Sequence, residues 1–153
     1  KHQVVANLTA ALPAGFQASM VLKYRSGTPY NITTGADNNG DSQRTDRPDL
    51  AVPGGDPTDK STFFTGFTGR VGNLPRNYGV GPDYATVDFR VSKFIRLKAV
   101  NVEVLVEAFN LFNRENLDSP NGNLLSSLFG QSTSITGSPR EIQIGVRLDF
   151  PGK

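Results

Sequence analysis

The stretch ATVDFRVSKFIRLKAVNVEVLVEAFNLFNREN, Ala85 to Asn116, contains two long alternating runs joined by almost nothing. In the first, Val87, Phe89, Val91, Ile95 and Leu97 share one face and Asp88, Arg90, Ser92 and Arg96 share the other. In the second, Val100, Val102, Val104, Val106 and Ala108 oppose Asn101, Glu103 and Glu107. Side chains alternate with period two along a strand, so the pattern predicts a hairpin with one apolar and one charged surface. Each run reaches about ten residues, beyond the usual five or six of a globular strand and close to what a tilted strand needs to cross a bilayer.

The rest of the chain repeats this rhythm. Val4, Ala6, Leu8, Ala10 and Leu12 alternate with Gln3, Asn7 and Thr9, then Pro13, Ala14 and Gly15 turn the chain into Phe16, Ala18, Met20, Leu22 and Tyr24. Such a short connection joins antiparallel neighbours. The last run sets Ile142, Ile144, Val146, Leu148 and Phe150 against Glu141, Gln143, Arg147 and Asp149. The expected strands are therefore 3 to 12, 16 to 33, 85 to 97, 100 to 113 and 141 to 150, with Gly27 and Pro29 weakening the end of the second. Between them lie two long stretches without alternation, about 34 to 84 and 117 to 139, rich in Gly, Pro, Asp and Asn. In the first, Phe63, Phe64 and Phe67 are the aromatic pieces available to pack the segment on itself or on neighbours.

Composition narrows the function classes. The 153 residues, 37% hydrophobic and 20% charged, make one domain's worth of chain. A membrane barrel wall is compatible with these averages, because lipid-facing and lumen-facing residues alternate. No apolar run reaches the roughly 18 residues of a membrane-crossing helix. The absence of cysteine removes disulfides, thiolate metal sites and Cys nucleophiles. A net charge of +2 with scattered Lys and Arg gives nucleic-acid binding little support. Nothing at the N-terminus resembles a signal peptide, so a removed signal or a start partway through a larger protein is expected.

The connections read short, long, short, long. In an up-and-down antiparallel meander this puts both short turns at one end of the sheet and both long loops at the other, the asymmetry of bacterial outer-membrane barrels with short periplasmic turns and long extracellular loops. The expected fold is thus all-β, an antiparallel meander forming part of a transmembrane β-barrel, with its C-terminus on the periplasmic side. Five strands leave two unpaired edges, and in lipid only a closed barrel satisfies its backbone. The chain must then pair with other strands, with further copies of itself, or fold differently.

Chemical motifs are few. In the segment from Asp37 to Asp46, oxygen-bearing side chains at Asp37, Asn39, Asp41, Gln43 and Asp46 resemble the opening of a calcium loop, in which alternate residues turn toward a hard cation. Gly40 stands at the fourth place rather than the sixth and no Glu at the twelfth, and a turn-rich loop tip uses the same residues. His2, the single histidine, stands near the start of the chain and is expected simply to begin a strand. Glu103 and Glu107 lie roughly 13 Å apart along one strand, too far for a glycosidase pair. They are expected to face Arg90, Arg96 or Arg147 across the sheet. The aromatics Tyr24, Tyr30, Phe94, Phe109, Phe112 and Phe150 are candidates for interfacial girdles or for ordinary packing. No enzymatic constellation emerges.

Four segments together carry a resemblance: SGTPYNITTGADNNGDSQRTDRP (Ser26 to Pro48), NYGVGPDYATVDFRVSKFIRL (Asn77 to Leu97), VEVLVEAFNLFNREN (Val102 to Asn116) and PREIQIGVRLDF (Pro139 to Phe150). The chain resembles the C-terminal end of TonB-dependent outer-membrane receptors, most nearly those carrying an N-terminal carboxypeptidase-regulatory-like domain. The resemblance implies residues 1 to 153 as the last strands of a barrel of about 22 strands, with the plug domain and most of the barrel absent. It implies a cell outer membrane location in a Gram-negative bacterium and uptake of a bulky ligand. The implied partners are outer-membrane lipid, the remaining barrel strands, the TonB energy-coupling system through the plug, and the barrel-assembly machinery through the C-terminal aromatic strand. Pro151, Gly152 and Lys153 depart from the family by following the aromatic that ends such chains. The alternative is a soluble or oligomeric all-β binding module that uses the long loops for recognition.

Overall fold

The computed structural model describes residues 2–150. Pro151, Gly152 and Lys153 lie outside the described residues. Chain order is β1 (Gln3–Leu12), a 3-10 turn (Pro13–Gly15), β2 (Phe16–Arg25), β3 (Pro29–Tyr30), β4 (Asp49–Leu50), a 3-10 turn (Lys60–Thr62), β5 (Phe63–Phe64), β6 (Gly79–Val80), β7 (Tyr84–Arg96), β8 (Asn101–Phe109) and β9 (Glu141–Asp149). The five long strands form one antiparallel meander in the order β1-β2-β7-β8-β9. The two short connections, Pro13–Gly15 and 97–100, leave one end of this sheet, and the two long ones leave the other. The all-β meander with sorted loops is as the alternation predicts.

The chain divides into two compact units. One, the sheet unit, holds the five long strands together with residues 110–116 and 137–140. Its first turn is tight because Ala14 and Gly15 take φ of 60° and 75°, and the Phe16 N–H donates to the Pro13 carbonyl. Gly15 also packs close: a Cβ there would stand 2.8 Å from the Phe94 carbonyl oxygen.

The other, the loop unit, comprises residues 26–83 and 117–136. It has little regular structure, two short antiparallel pairs (β3 with β6, β4 with β5) and a few isolated bridges. It nevertheless holds the buried hydrophobic cluster of the described residues: Ile32, Phe63, Leu74, Leu124 and Phe129, with Tyr30, Leu50 and Tyr78 against it. Phe63 meets Tyr78 and Phe129 edge to face, at ring separations of 6.1 and 6.0 Å, the geometry aromatic quadrupoles favour. Since Phe63 and Phe129 come from different long connections, the two fold together as one body.

Two strand ends differ from expectation by more than one residue. β2 stops at Arg25 rather than continuing to residue 33. Gly27 approaches the Gly81 backbone so closely that any Cβ would clash, and Pro29, which has no N–H to give a ladder, begins a separate pair with β6. β8 stops at Phe109 rather than 113, because Asn110 takes φ of 47° and turns the chain out of the extended region.

Candidate functional site

The sheet's two surfaces follow from its register. Val4, Ala6, Leu8, Ala10 and Leu12 stand beside Tyr24, Leu22, Met20, Ala18 and Phe16, which stand beside Ala85, Val87, Phe89, Val91 and Lys93. Across β7 and β8 the same face continues as Phe89 with Ala108, Val91 with Val106 and Ile95 with Val102, then onto Ile142, Ile144, Val146 and Leu148. An apolar surface thus runs unbroken over five strands apart from Lys93. Many of its large members are exposed, including Val4, Leu8, Leu12, Phe89, Val106 and the whole β9 row, where Ile144 is 78% exposed, while Met20, Leu22, Val87 and Val91 are half-buried. A water-soluble monomer rarely leaves so large a contiguous apolar face uncovered.

The opposite face is polar and better covered. Arg90 spans β8, its Nη2 donating to Glu103 at 2.6 Å and its Nη1 to Glu107 at 3.5 Å, while Lys23 pairs with Asp88 at 3.3 Å. Glu103 is 8% exposed, and Ser92, in register with Leu105 on the same face, is buried too. Of the three partners expected for the two glutamates, Arg90, Arg96 and Arg147, the ion pairs are with Arg90. Arg147 lies opposite Glu103 in register, yet the carboxylate's ion pair is with Arg90. Arg96 and Arg147 instead line, with Glu103, Asp149, Asn101 and Phe94, a recess of about 400 Å³ at the short-turn end. Gly145 opposite Leu105 leaves room on this face, since a Cβ there would be 3.1 Å from a Leu105 methyl. Charged inside and apolar outside is the polarity of a barrel wall in lipid and the reverse of a soluble core.

At the loop end, three asparagines spaced three apart finish the sheet. Asn110, in the left-handed region, takes Asp88 as acceptor for its N–H and accepts from the Arg114 N–H, and its amide donates to the Arg114 and Ser138 carbonyls. Asn113, also left-handed, accepts from the Arg140 N–H at 2.9 Å. Asn116 mimics a strand partner, accepting from the Ala85 N–H at 2.8 Å and donating to the Ala85 carbonyl at 3.0 Å. Asn110 and Asn116 are buried. Their roles went unassigned in the sequence, where the spacing in FNLFNREN was the available signal: Asn tolerates positive φ and satisfies backbone groups with its side chain.

Beside them a groove of about 470 Å³ is lined by Val4, Leu22, Tyr24, Val87, Phe112 and Arg114 among others. Of the aromatics expected at an interface, Tyr24 and the exposed Phe112 stand here. Tyr30 does not, being packed on the loop unit's core with its hydroxyl buried and unpartnered among the described residues. Burial, aided by the Asp56 carboxylate, pushes that phenol's pKa up. Phe94 and Phe109 fall in register with Glu103 and Glu141, on the polar face. Phe150 follows β9 and is exposed. His2 precedes β1 and is exposed.

The residues Asp37, Asn39, Asp41, Gln43 and Asp46 all lie in one segment of the loop unit, and their oxygens serve the backbone. Asp37 accepts from the N–H groups of Gly40, Asp41 and Ser42, and Asp41 from those of Gln43 and the Asn39 amide. Asn39 accepts from the Asp41 N–H. Asp46, buried, holds the N–H groups of Asn38 and Asn39 at 2.6 and 3.0 Å. Gln43 enters through its backbone N–H. Among the described residues no group of three or more His, Cys, Asp or Glu side chains is arranged to hold a metal ion. Elsewhere in the unit Arg70 clasps Asp49 with both terminal nitrogens, at 3.0 and 2.5 Å, and lies 4.2 Å over the Phe67 ring. Arg70, helped by the Asn73 N–H, holds the Asp49 carboxyl at about 2, below the ordinary 3.8.

No curated protein and no solved structure matches the chain. A sequence model described as an outer membrane beta barrel domain matches residues 1–143. Long strands, sorted loops, an exposed apolar face and a charged opposite face agree with that match, and the chain belongs to the outer membrane beta barrel domain family, placed in the outer membrane.

Proposed function

We propose that these strands are wall, and the loop unit is outer recognition surface, of a TonB-dependent receptor that takes up a bulky ligand. The observation that carries this reading is the loop unit itself. Two connections far apart in sequence share a core of Ile32, Phe63, Leu74, Leu124 and Phe129, so they present a shaped surface, and binding residues concentrate on loops held by a rigid scaffold. The receptor resemblance of the EAFNLFNREN and terminal strand segments supplies the transport class. No reaction is assigned to the chain and no nucleic-acid partner.

Strand direction favours a wall completed by other strands over a ring of copies. β1 and β9 both run from the loop end toward the short-turn end. Copies joined edge to edge in one membrane would meet as parallel pairs, whereas an odd number of intervening strands closes an all-antiparallel barrel with the even total usual in bacterial chains. The alternative, a soluble or oligomeric binding module, lacks a comparable supporting feature, because it must cover the apolar face by other means.

The test is in cells carrying the full-length receptor that includes these strands and its plug: formaldehyde crosslinking should capture the energy-coupling protein TonB on it in the outer-membrane fraction, and detergent should be needed for extraction. Recovery as a soluble monomer would support the module instead; a membrane-bound chain with no TonB adduct would leave a barrel without that coupling. Calcium at Asp37, Asn39, Asp41, Gln43 and Asp46 is a separate proposal supported by the alternation of oxygen ligands. Calorimetry should show calcium heat that Asp37→Asn with Asp41→Asn removes; no heat with the intact chain leaves these residues as turn formers.

A further inference from the structure

The apolar face of the sheet carries one charge. Among the described residues of the five strands, every position on that face is apolar or Tyr except Lys93, on β7. Its neighbours in register are Phe16 on β2 and Val104 on β8. The ammonium lies 4.3 Å from the centroid of the Phe16 ring and donates to the Ala14 carbonyl in the short turn. No carboxylate shares this face. The adjoining connection, residues 97–100, adds exposed Lys98 and no acid.

Position along the strand gives this charge a meaning. From Lys93 to Ala85, the register partner of Tyr24, eight residues span about 26 Å of strand. At the usual tilt of about 35 to 45° that is a height of roughly 20 Å, which with the reach of the lysine stem fits an apolar band of about 25 Å. Tyr24 with Phe112 then marks one border of the band, and Phe16 with Lys93 the other.

We propose that Lys93, backed by Phe16 and aided by Lys98, binds the headgroup phosphate of an anionic phospholipid in the leaflet on the short-turn side. An ammonium has three donors, and one on the Ala14 carbonyl leaves two for phosphate oxygens. The acyl chains lie along Val91, Val106 and Ala18, the neighbouring apolar positions toward the other border. The site rests on the face meeting lipid, and the test separates the two claims.

The full-length barrel protein that includes these strands, with Val91→Cys labelled with bimane, is placed in vesicles of phosphatidylcholine and phosphatidylglycerol in equal parts, with one or the other lipid brominated in its acyl chains. Brominated phosphatidylglycerol should occupy the site about fivefold over brominated phosphatidylcholine, the factor typical of one basic residue near an anionic surface. Lys93→Gln should bring the ratio to about one, and Lys93→Arg should keep it, with both variants checked for the heat-modifiable gel migration of a folded barrel. Equal quenching by both lipids with Lys93 present, or a preference that survives Lys93→Gln, overturns the phosphate site while leaving the lipid-facing wall. Quenching by neither lipid overturns both.

Discussion

Ile144 in the sheet unit and Leu74 in the loop unit are both branched aliphatic residues, yet the first is 78% exposed and the second 0%. The loop unit obeys the rule for water: its large apolar side chains Ile32, Phe63, Leu74, Leu124 and Phe129 are inside. The sheet unit inverts it, with valines, leucines and isoleucines outside and Arg90, Glu103 and Glu107 on the covered face. One chain thus folds against two solvents. Hydrocarbon takes the place of a core for the sheet, and the aqueous side of the membrane demands a core for the loops.

The contrast breaks if a core truncation harms both units alike. Leu74→Ala should destabilise the loop unit by about 2 to 5 kcal/mol, the usual cost of emptying a fully buried leucine site. Hydrogen exchange should show faster exchange across residues 26–83 and 117–136, while β7 and β8 stay protected. Phe89→Arg probes the other solvent. Phe89 lies four residues from Lys93 and four from Ala85, near the middle of the proposed apolar band, so the charge should cost about 2 to 4 kcal/mol. Val104→Arg, opposite Lys93 and nearer a border, should cost less. Equal costs in denaturant unfolding from vesicles would deny the depth gradient.

Smaller changes sharpen the seam of each unit. Asn116→Ala should cost about 1 to 3 kcal/mol by leaving the Ala85 N–H and carbonyl without partners, with the loss confined to the loop end of β7 in hydrogen exchange. The smallest effect concerns Asp49. Its carboxyl is held at about 2 against an ordinary 3.8, so its contribution is present above about pH 4 and is lost as the pH falls toward 2. Proteolytic protection of the loop unit should decline over that window, and Arg70→Gln should remove that component of the decline.

The sheet was legible because each of its strands sees two environments in strict alternation, so period two survives from Val4 to Leu148 whichever solvent lies outside. Its ends were less so. Gly27 and Asn110 stop β2 and β8 through a backbone approach and a positive φ that no periodicity records. The loop core was illegible for a different reason: Ile32, Phe63, Leu74, Leu124 and Phe129 come from distant turns and share no period. The segment from Asp37 to Asp46 shows how one local pattern admits two uses, since alternate carboxylates that could face a cation here hold backbone N–H groups. The paired glutamates were readable as far as their partner's charge, and the fold chose Arg90.

The central claim is that the valine face meets lipid, and spin labelling of β8 tests it most directly. Nitroxides placed singly at Val104, Leu105, Val106 and Glu107 of the full chain in vesicles should alternate: Val104 and Val106 accessible to oxygen dissolved in lipid and shielded from a water-soluble nickel chelate. Leu105 and Glu107 should show the reverse preference or be shielded from oxygen. If Val104 and Val106 are inaccessible to both agents, that face is packed against protein and the membrane-wall account of this sheet is contradicted.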